Sequence, residues 1–539
     1  MFVDGLISSA GRNNYFVERM LAQIMTLERK MAANTTPALR VELGNVHNLQ
    51  LSEISPFSRL SEKLGRPLKV AILSDFVRIP YANGAAFQTR FLYQELRQCG
   101  HEVTVIGPHD PDARADELAP GTISIPSLPL KTYPGVHLPM PLASWVYDLD
   151  EWDFDICFAQ TTSLLMEFGV WLRKMKKIPL LCVNTTHLEA AYEVLLPEKL
   201  ASYPLVHAAV RVLQRPLAWI FASMYNNSDG LIVLSEGLRD FWRGRGVTAP
   251  IFVIPRAVQP QIFDRAIGAD PYAKFMGELG DKALPGRGQR LLCAGRHTRE
   301  KSQDRVIRIF AERVLPQAPD ATLTMIGVGP DTEYYKRVAL ESGVADRVFF
   351  PGEVPFTTMP DFYAYADVFV HGSLSETYGN VMGEALWCGT PTVAFADGMG
   401  VSSQIRNGVN GILVEPGSST SGEEKSAGDR AFGEAVVKLL SDARERGRIG
   451  KMASKVARGR AMPELVLAKI ADAFERAHER ATSSTEQPVS EQGLLRRWAT
   501  TARHFGMWTL VLGGIYAMGY MRPAKREKAL MPAQPQIAC

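Results

Sequence analysis

The chain has 539 residues, more than one hydrophobic core supports, so two large domains with additional segments are expected. Its 46% hydrophobic and 22% charged residues are those of an ordinary globular protein, and a net charge of +3 gives no global case for nucleic-acid binding. Six scattered cysteines form no C-x-x-C pair, which argues against a disulfide or zinc framework and for free thiols in a reducing compartment.

In chain order, residues 1–66 read as helix and loop, with helical spacing from Tyr15 to Met31. The N-terminus lacks the apolar run of a signal peptide, so a location in the cytoplasm, peripheral on the inner face of the cell membrane, is expected. Lys69–Leu73 is the first predicted strand. A glycine-bearing loop with Gly84, a helix from Phe87 to Gln98 and a strand at Gly100–Ile106 follow, which is a strand–helix–strand unit. Ile156–Ala159, Leu180–Val183 and Leu231–Leu234 are further short buried strands, and Ser235 is placed to start a helix. The alternation resumes near Ile251 with strands at Leu291–Ala294, Thr322–Ile326, Val348–Phe350, Val368–Val370 and Thr392–Phe395. Two successive α/β halves predict two doubly wound domains facing across a cleft. Residues 418–430 read as a polar loop, Ala431–Leu440 and Leu465–Ala481 as helices, and 482–493 as a linker.

The stretch Ser373–Gly389, SLSETYGNVMGEALWCG, carries the most chemistry. It sets Glu376 eight residues before Glu384, with Gly379 and Asn380 between them and a helix beginning. Free backbone N–H groups at a helix start attract phosphate, and carboxylates accept from hydroxyls, so the stretch suits a sugar joined to phosphates. Arg296 and Lys301 lie five positions apart in the loop after the Leu291–Ala294 strand and supply the positive charge that a pyrophosphate leaving group needs.

The Glu376–Glu384 segment resembles the E-x7-E signature of retaining glycosyltransferases of family 4, which have the GT-B fold. Leu291–Lys301 resembles that family's phosphate loop, Ile254-Pro-Arg-Ala-Val258 its "IPNGV" strand end and Asn407–Val414 its "NGxxGxLV" turn. The resemblance runs from about residue 67 to 480. It implies an acceptor domain at 67–250, a nucleotide-sugar domain at 251–460 and a closing helix at 461–482; residues 1–66, which match no family motif, read as a helical N-terminal extension and 483–539 as a linker and basic, apolar tail. It also implies that Glu376 faces the donor sugar and Glu384 the ribose, and that Gly379, Asn380 and Val381 offer backbone amides. Gly84 would lie beside the reacting phosphate, Val354 would contact the base through its backbone, and His187 would contact the donor sugar; a helix cap or a buried histidine is the other reading of His187. Ser302 replaces the glycine that usually follows the lysine, His371 a common proline, Gln259 a frequent aspartate and Gln404 a common glutamate.

The activity implied is retaining transfer from a nucleotide-diphosphate sugar, independent of metal and without a cofactor. Two D-x-D patterns, at Asp148–Asp150 and Asp153–Asp155, are not read as a metal site, because they precede a strand and Arg296 and Lys301 already provide the charge. After the linker, basic residues flank an apolar run from Phe505 to Tyr520, shorter than the roughly 20 residues that span a bilayer. An anionic membrane surface is therefore an expected partner, with a lipid acceptor favoured over a growing glycan and nucleic acid not expected. A packed terminal helix is the other reading of the tail. A GT-B epimerase and a non-catalytic binding protein are the rival functions.

Overall fold

A computed structural model describes residues 56–77, 84–114, 117–129, 137–140, 149, 152–161, 165–185, 218–273, 289–417 and 422–517. The extension before residue 56, His187 and the residues after 517 lie outside them.

The strands are β1 (Lys69–Ser74), β2 (Glu102–Pro108), β3 (Ile123–Ile125), β4 (Ser127–Pro129), β5 (His137–Pro139), β6 (Ile156–Gln160), β7 (Leu180–Val183), β8 (Gly230–Val233) and β9 (Ile251–Val253). They continue with β10 (Arg290–Ala294), β11 (Thr322–Ile326), β12 (Val348–Gly352), β13 (Val368–His371), β14 (Thr392–Phe395) and β15 (Ile412–Val414). A seven-stranded sheet has the order β3-β2-β1-β6-β7-β8-β9, and a six-stranded sheet the order β12-β11-β10-β13-β14-β15. Every pairing in the second sheet is parallel. Its strands β10, β11, β13 and β14 are buried almost throughout, as apolar runs covered by helices on both faces should be. Counted within itself, this sheet runs 3-2-1-4-5-6, the doubly wound order, and the direction of winding reverses between β10 and β13. Ligands of such sheets bind outside the carboxyl ends of the strands at that reversal.

Contacts divide the chain into two compact units. One is Met1–Leu68, Gln98–Gly100 and Pro179–Ser483; the other is Lys69–Arg97, His101–Ile178 and Ser484–Cys539. In the first, the six-stranded sheet is covered on one face by Val306, Phe310, Tyr335, Phe432 and Leu439 and on the other by Phe362, Tyr363, Leu386 and Trp387. In the second, the helix Leu494–Ala517 packs on the helix Leu165–Lys176. Trp171 donates from Nε1 to Thr501 Oγ1 at 3.1 Å, His504 meets the Glu167 carboxylate, and Trp508 is fully buried and donates to the Pro139 carbonyl at 3.0 Å.

Three departures from the sequence reading have identifiable causes. Residues 422–430, expected in a loop, open the helix Gly422–Ser441; Asp429 pairs with Arg305 at 2.6 Å and ties this first part of the helix to the sheet's own helices. The helix Ala443–Ala461 was not expected. Its signal was present as Asp442-Ala-Arg-Glu445, a cap whose aspartate accepts from the Glu445 N–H at 2.9 Å. The first basic stretch and the apolar run as far as Ala517 form one helix, and Trp508, within the run expected at a membrane surface, is packed inside the protein.

Candidate active site

The two strands at the winding reversal end in the two loops that carry the predicted charges. After β10 the chain turns at Gly295, exposes Arg296, buries His297 and makes a short 3-10 turn, Arg299–Lys301. His297 is held by its N–H to Val328 at 3.2 Å and by Nδ1 to Thr332 Oγ1 at 3.0 Å. Burial pushes its imidazole down to about 4, so it stays neutral near pH 7. Arg299 turns away, bonded to Asp331 at 2.9 Å and laid over the Tyr334 ring. Lys301 points to the end of β13.

There, Lys301 Nζ donates to Glu376 Oε1 at 2.7 Å, and His371 Nε2 lies 3.2 Å from the same oxygen. Glu376 is 8% exposed. Burial alone would raise its pKa, but the Lys301 ammonium and the His371 contact outweigh it and hold the carboxyl well below the usual carboxylate range. Burial likewise works against the Lys301 charge, and Glu376 and Glu300 reverse that, so its pKa is raised. Arg296 is close enough to oppose this rise, which places a second cation beside the pair.

Gly379, at φ 78°, then starts the helix Asn380–Cys388. A side chain at that φ would cost about 1–2 kcal/mol. The first N–H groups of the helix have no partner within it. The turn is fixed from behind by Gly400, where a Cβ would stand 2.6 Å from the Glu376 carbonyl oxygen, and by Gln404, whose amide donates to the Tyr378 carbonyl. A glutamine can donate there where a carboxylate cannot, which accounts for Gln404. One turn along the helix, Glu384 accepts from Tyr363 Oη at 2.9 Å. Burial pushes its carboxyl up to about 7, although the Tyr363 bond acts the other way.

Of the predicted residues, Lys301 and Glu376 meet, with Arg296 on the same loop. Gly379, Asn380, Val381 and Glu384 share one turn and helix, and Val354 follows β12, half-buried against the core beside that helix. Gly84 belongs to the other unit, where it opens the helix Gly84–Gln98. His187 lies outside the described residues. Glu376 precedes the helix and Glu384 lies within it, and their different partners distinguish them. Asp155 is occupied with the Lys69 N–H at 2.7 Å and Asp153 with the Lys69 ammonium at 2.6 Å. Among the described residues, no group of His, Cys, Asp or Glu is arranged to hold a metal ion.

Ser302, in place of a glycine, adopts φ 47°. Left-handed backbone at a serine costs about 1–2 kcal/mol, and part of that is returned when glycine enlarges the unfolded ensemble. Ser302→Gly is therefore expected to raise stability by about 0.5–1 kcal/mol in urea titrations; a loss would mean that the serine hydroxyl is needed.

Sequence reasoning missed Arg256. It is 8% exposed, its Nη1 donates to Asn380 Oδ1 at 3.2 Å, and its carbonyl accepts from Tyr378 Oη at 3.4 Å. The only signal was that Ile254–Val258 carries Arg256 where the related motif has asparagine.

The family model described as Glycosyl transferases group 1 matches residues 279–456, and that described as Glycosyltransferase Family 4 matches residues 82–262. The chain is 27% identical over 332 residues to the alpha-monoglucosyldiacylglycerol synthase of Streptococcus pneumoniae, covering 61% of this chain and 71% of that protein. It is 29% identical over 233 residues to the GDP-mannose-dependent alpha-(1-6)-phosphatidylinositol monomannoside mannosyltransferase of Mycolicibacterium smegmatis, covering 42% of this chain and 56% of that protein. Among solved structures, sucrose-phosphate synthase from Thermosynechococcus elongatus superposes with a TM-score of 0.58 at 20% identity over 76% of this chain and 98% of that one. HepE of Anabaena in complex with UDP-glucose gives 0.57 at 18% identity over 76% and 99%. With two doubly wound sheets, the charged loops at the winding reversal and both family models in sequence order, the chain belongs to the family 4 glycosyltransferases and has their GT-B fold.

Proposed function

We infer that the enzyme moves a sugar, with retention at the anomeric carbon, from a nucleotide-diphosphate sugar to a lipid acceptor at the cytoplasmic membrane face, without a metal. The observation that carries the reading is the Lys301–Glu376 pair at 2.7 Å beside the start of the Asn380–Cys388 helix. The helix amides, Lys301 and Arg296 suit the diphosphate; Glu376 suits the sugar hydroxyls and Glu384 the ribose. In the reaction, the acceptor oxygen bonds to the anomeric carbon while the bond to the distal phosphate breaks. The electron pair stays on the phosphate, whose oxygen takes the acceptor's proton. Fixed positive charge at the leaving group is often the largest contribution in such catalysis. No side chain is assigned as a nucleophile; attack from the leaving-group side accounts for retention.

A lipid acceptor is supported by the two relatives above, whose names describe glycolipid and phosphatidylinositol mannoside chemistry. Transfer assays should use a panel of nucleotide sugars with diacylglycerol-type and polysaccharide acceptors, with and without EDTA. Chelator-resistant transfer to lipid with retained anomeric configuration is expected. Epimerisation without transfer, or activity restored only by a divalent metal, would overturn the reading.

Membrane association is supported by the outer side of the Leu494–Ala517 helix. Leu495 and Leu510 are 88% and 78% exposed, and Arg496 and Arg503 lie on the same helix. Burial lowers the Lys174 pKa, and the charge of Arg503 lowers it further while Glu167 and Glu486 act the other way, so Arg503 lies near Lys174 of the neighbouring helix. Among the described residues, no helix is long and apolar enough to cross a membrane. Deleting residues 494–539 would also strip Trp508 and Thr501 from their packing, so point changes test the idea better. Leu495→Asp with Leu510→Asp should weaken binding to anionic vesicles at least about tenfold, because each leucine is worth roughly 1.5–3 kcal/mol when buried. Salt should weaken wild-type binding without abolishing it. Unchanged vesicle binding would remove the tail from the membrane contact.

A further inference from the structure

Arg256 stands out within the nucleotide-sugar site because it is a buried charge without an ion-pair partner. The residue is more than nine-tenths buried. Its Nη1 bonds to the side chain of Asn380, the first residue of the helix, so the guanidinium is aimed at the helix start. Its Nε is buried and makes no hydrogen bond among the described residues. No carboxylate forms an ion pair with it among them either. Glu376, whose charge favours the guanidinium, is already bonded to Lys301 and His371. Burial lowers the Arg256 pKa to about 10, which leaves it charged near neutrality. An unpaired buried charge is costly, and an opposite charge brought by a bound molecule would offset that cost.

We propose that Arg256 is a ligand of the donor's distal phosphate, the one joined to the sugar. The inference rests on the proposed nucleotide-sugar function. Position selects that phosphate. Arg256 lies at the Glu376 and Asn380 end of the site, where the sugar would sit, and Glu384, suited to the ribose, is four residues farther along the helix. Arg256 would add a third cation to Arg296 and Lys301, beside Glu376 and Glu300, against the two negative charges of a diphosphate diester. When the bond to the sugar breaks, the extra negative charge gathers on the distal phosphate, where a guanidinium binds through charge-assisted hydrogen bonds.

The alternative is that Arg256 only braces Asn380 and Tyr378. Titrating wild-type protein, Arg256→Gln and Arg256→Lys with nucleoside diphosphates and the matching monophosphates separates the two. Arg256→Gln should weaken the diphosphate about ten- to a hundredfold, the scale of a hydrogen bond to a charged group, and change the monophosphate less than about threefold. Arg256→Lys keeps the charge and should lie between wild type and Arg256→Gln. The free Arg256→Gln protein should melt no lower than wild type, because it has lost an unpaired buried charge, and nucleoside diphosphate should raise its melting temperature less. Equal loss for mono- and diphosphate, unchanged diphosphate affinity, or a free protein that melts lower or does not fold would each overturn the proposal. So would an Arg256→Lys variant as impaired as Arg256→Gln. If wild-type protein binds no nucleoside diphosphate in the panel, the underlying function fails instead, and the Arg256 comparison is not the reason.

Discussion

Lys301→Ala is expected to lower turnover at least about a hundredfold, the scale of losing one group that stabilises charge in the transition state. Arg296→Ala should do the same, but the two differ in stability. Arg296 is exposed, and exposed charges contribute little to stability. Removing Lys301 leaves Glu376, only 11% exposed in its side chain, without its ammonium. Breaking one side of a buried pair costs on the order of 3 kcal/mol, so the fold should weaken as well, contrary to what the position of Lys301 in a charged loop suggests.

The pH dependence identifies the origin of that loss. Glu376 has a depressed pKa in the folded state, so its contribution is present above its unfolded value of 4.5 and fades as pH falls below it. Lys301 has a raised pKa, so its contribution is present below 10.5 and fades above it. The stability gap between wild type and Lys301→Ala should therefore be largest from roughly pH 5 to 10 and close toward pH 3. Urea titrations at pH 7 and pH 3, with single-turnover rates at pH 7, test both parts. Wild-type rates in Arg296→Ala and Lys301→Ala would remove the proposed phosphate role, and a gap of the same size at both pH values would remove the ion-pair origin of the loss.

Local pattern was enough to read the strands. β7, β11 and β14 fall where short apolar runs between turn residues placed them, and Ser235 caps the following helix by accepting from the Leu238 N–H at 3.2 Å. The charged loops were legible because each follows a strand at the winding reversal, and sequence order alone locates such loops. What escaped depends on distant partners. Arg256 is defined by Asn380, 124 residues away, and nothing in Ile-Pro-Arg-Ala-Val indicates that its arginine is buried. The terminal helix is defined by Trp171 and Glu167, more than 300 residues earlier; its apolar residues looked available for a membrane because their cover lies elsewhere in the chain. His371 escaped for another reason: Glu376 is only five residues away, and it is the turn after β13 that brings the ring to the carboxylate.

Glu376→Gln should cut transfer by about a hundredfold or more while nucleotide affinity stays within a few fold, whereas Glu384→Gln should mainly weaken nucleotide binding. Their surroundings set this division. Glu376 stays ionised between Lys301 and His371, ready to accept from sugar hydroxyls. Glu384 has only Tyr363 to offset its burial and titrates at about 7. Its folded pKa is raised, so its contribution to stability is present below 4.5 and is lost as pH rises through 7. Accepting hydrogen bonds from both ribose hydroxyls requires the carboxylate, so binding must expel that proton below pH 7. Nucleotide affinity should then rise up to about tenfold per pH unit between roughly 5.5 and 7 and level off above it, after subtraction of the Glu384→Gln profile, which removes the phosphate's own titration near pH 6. The stabilisation conferred by nucleotide should grow over the same interval, because the free protein loses stability from Glu384 just where the complex gains a ribose contact. Equal loss of nucleotide affinity in both variants, or identical pH profiles for wild type and Glu384→Gln, would end the division of roles and leave the two glutamates acting on a single part of the donor.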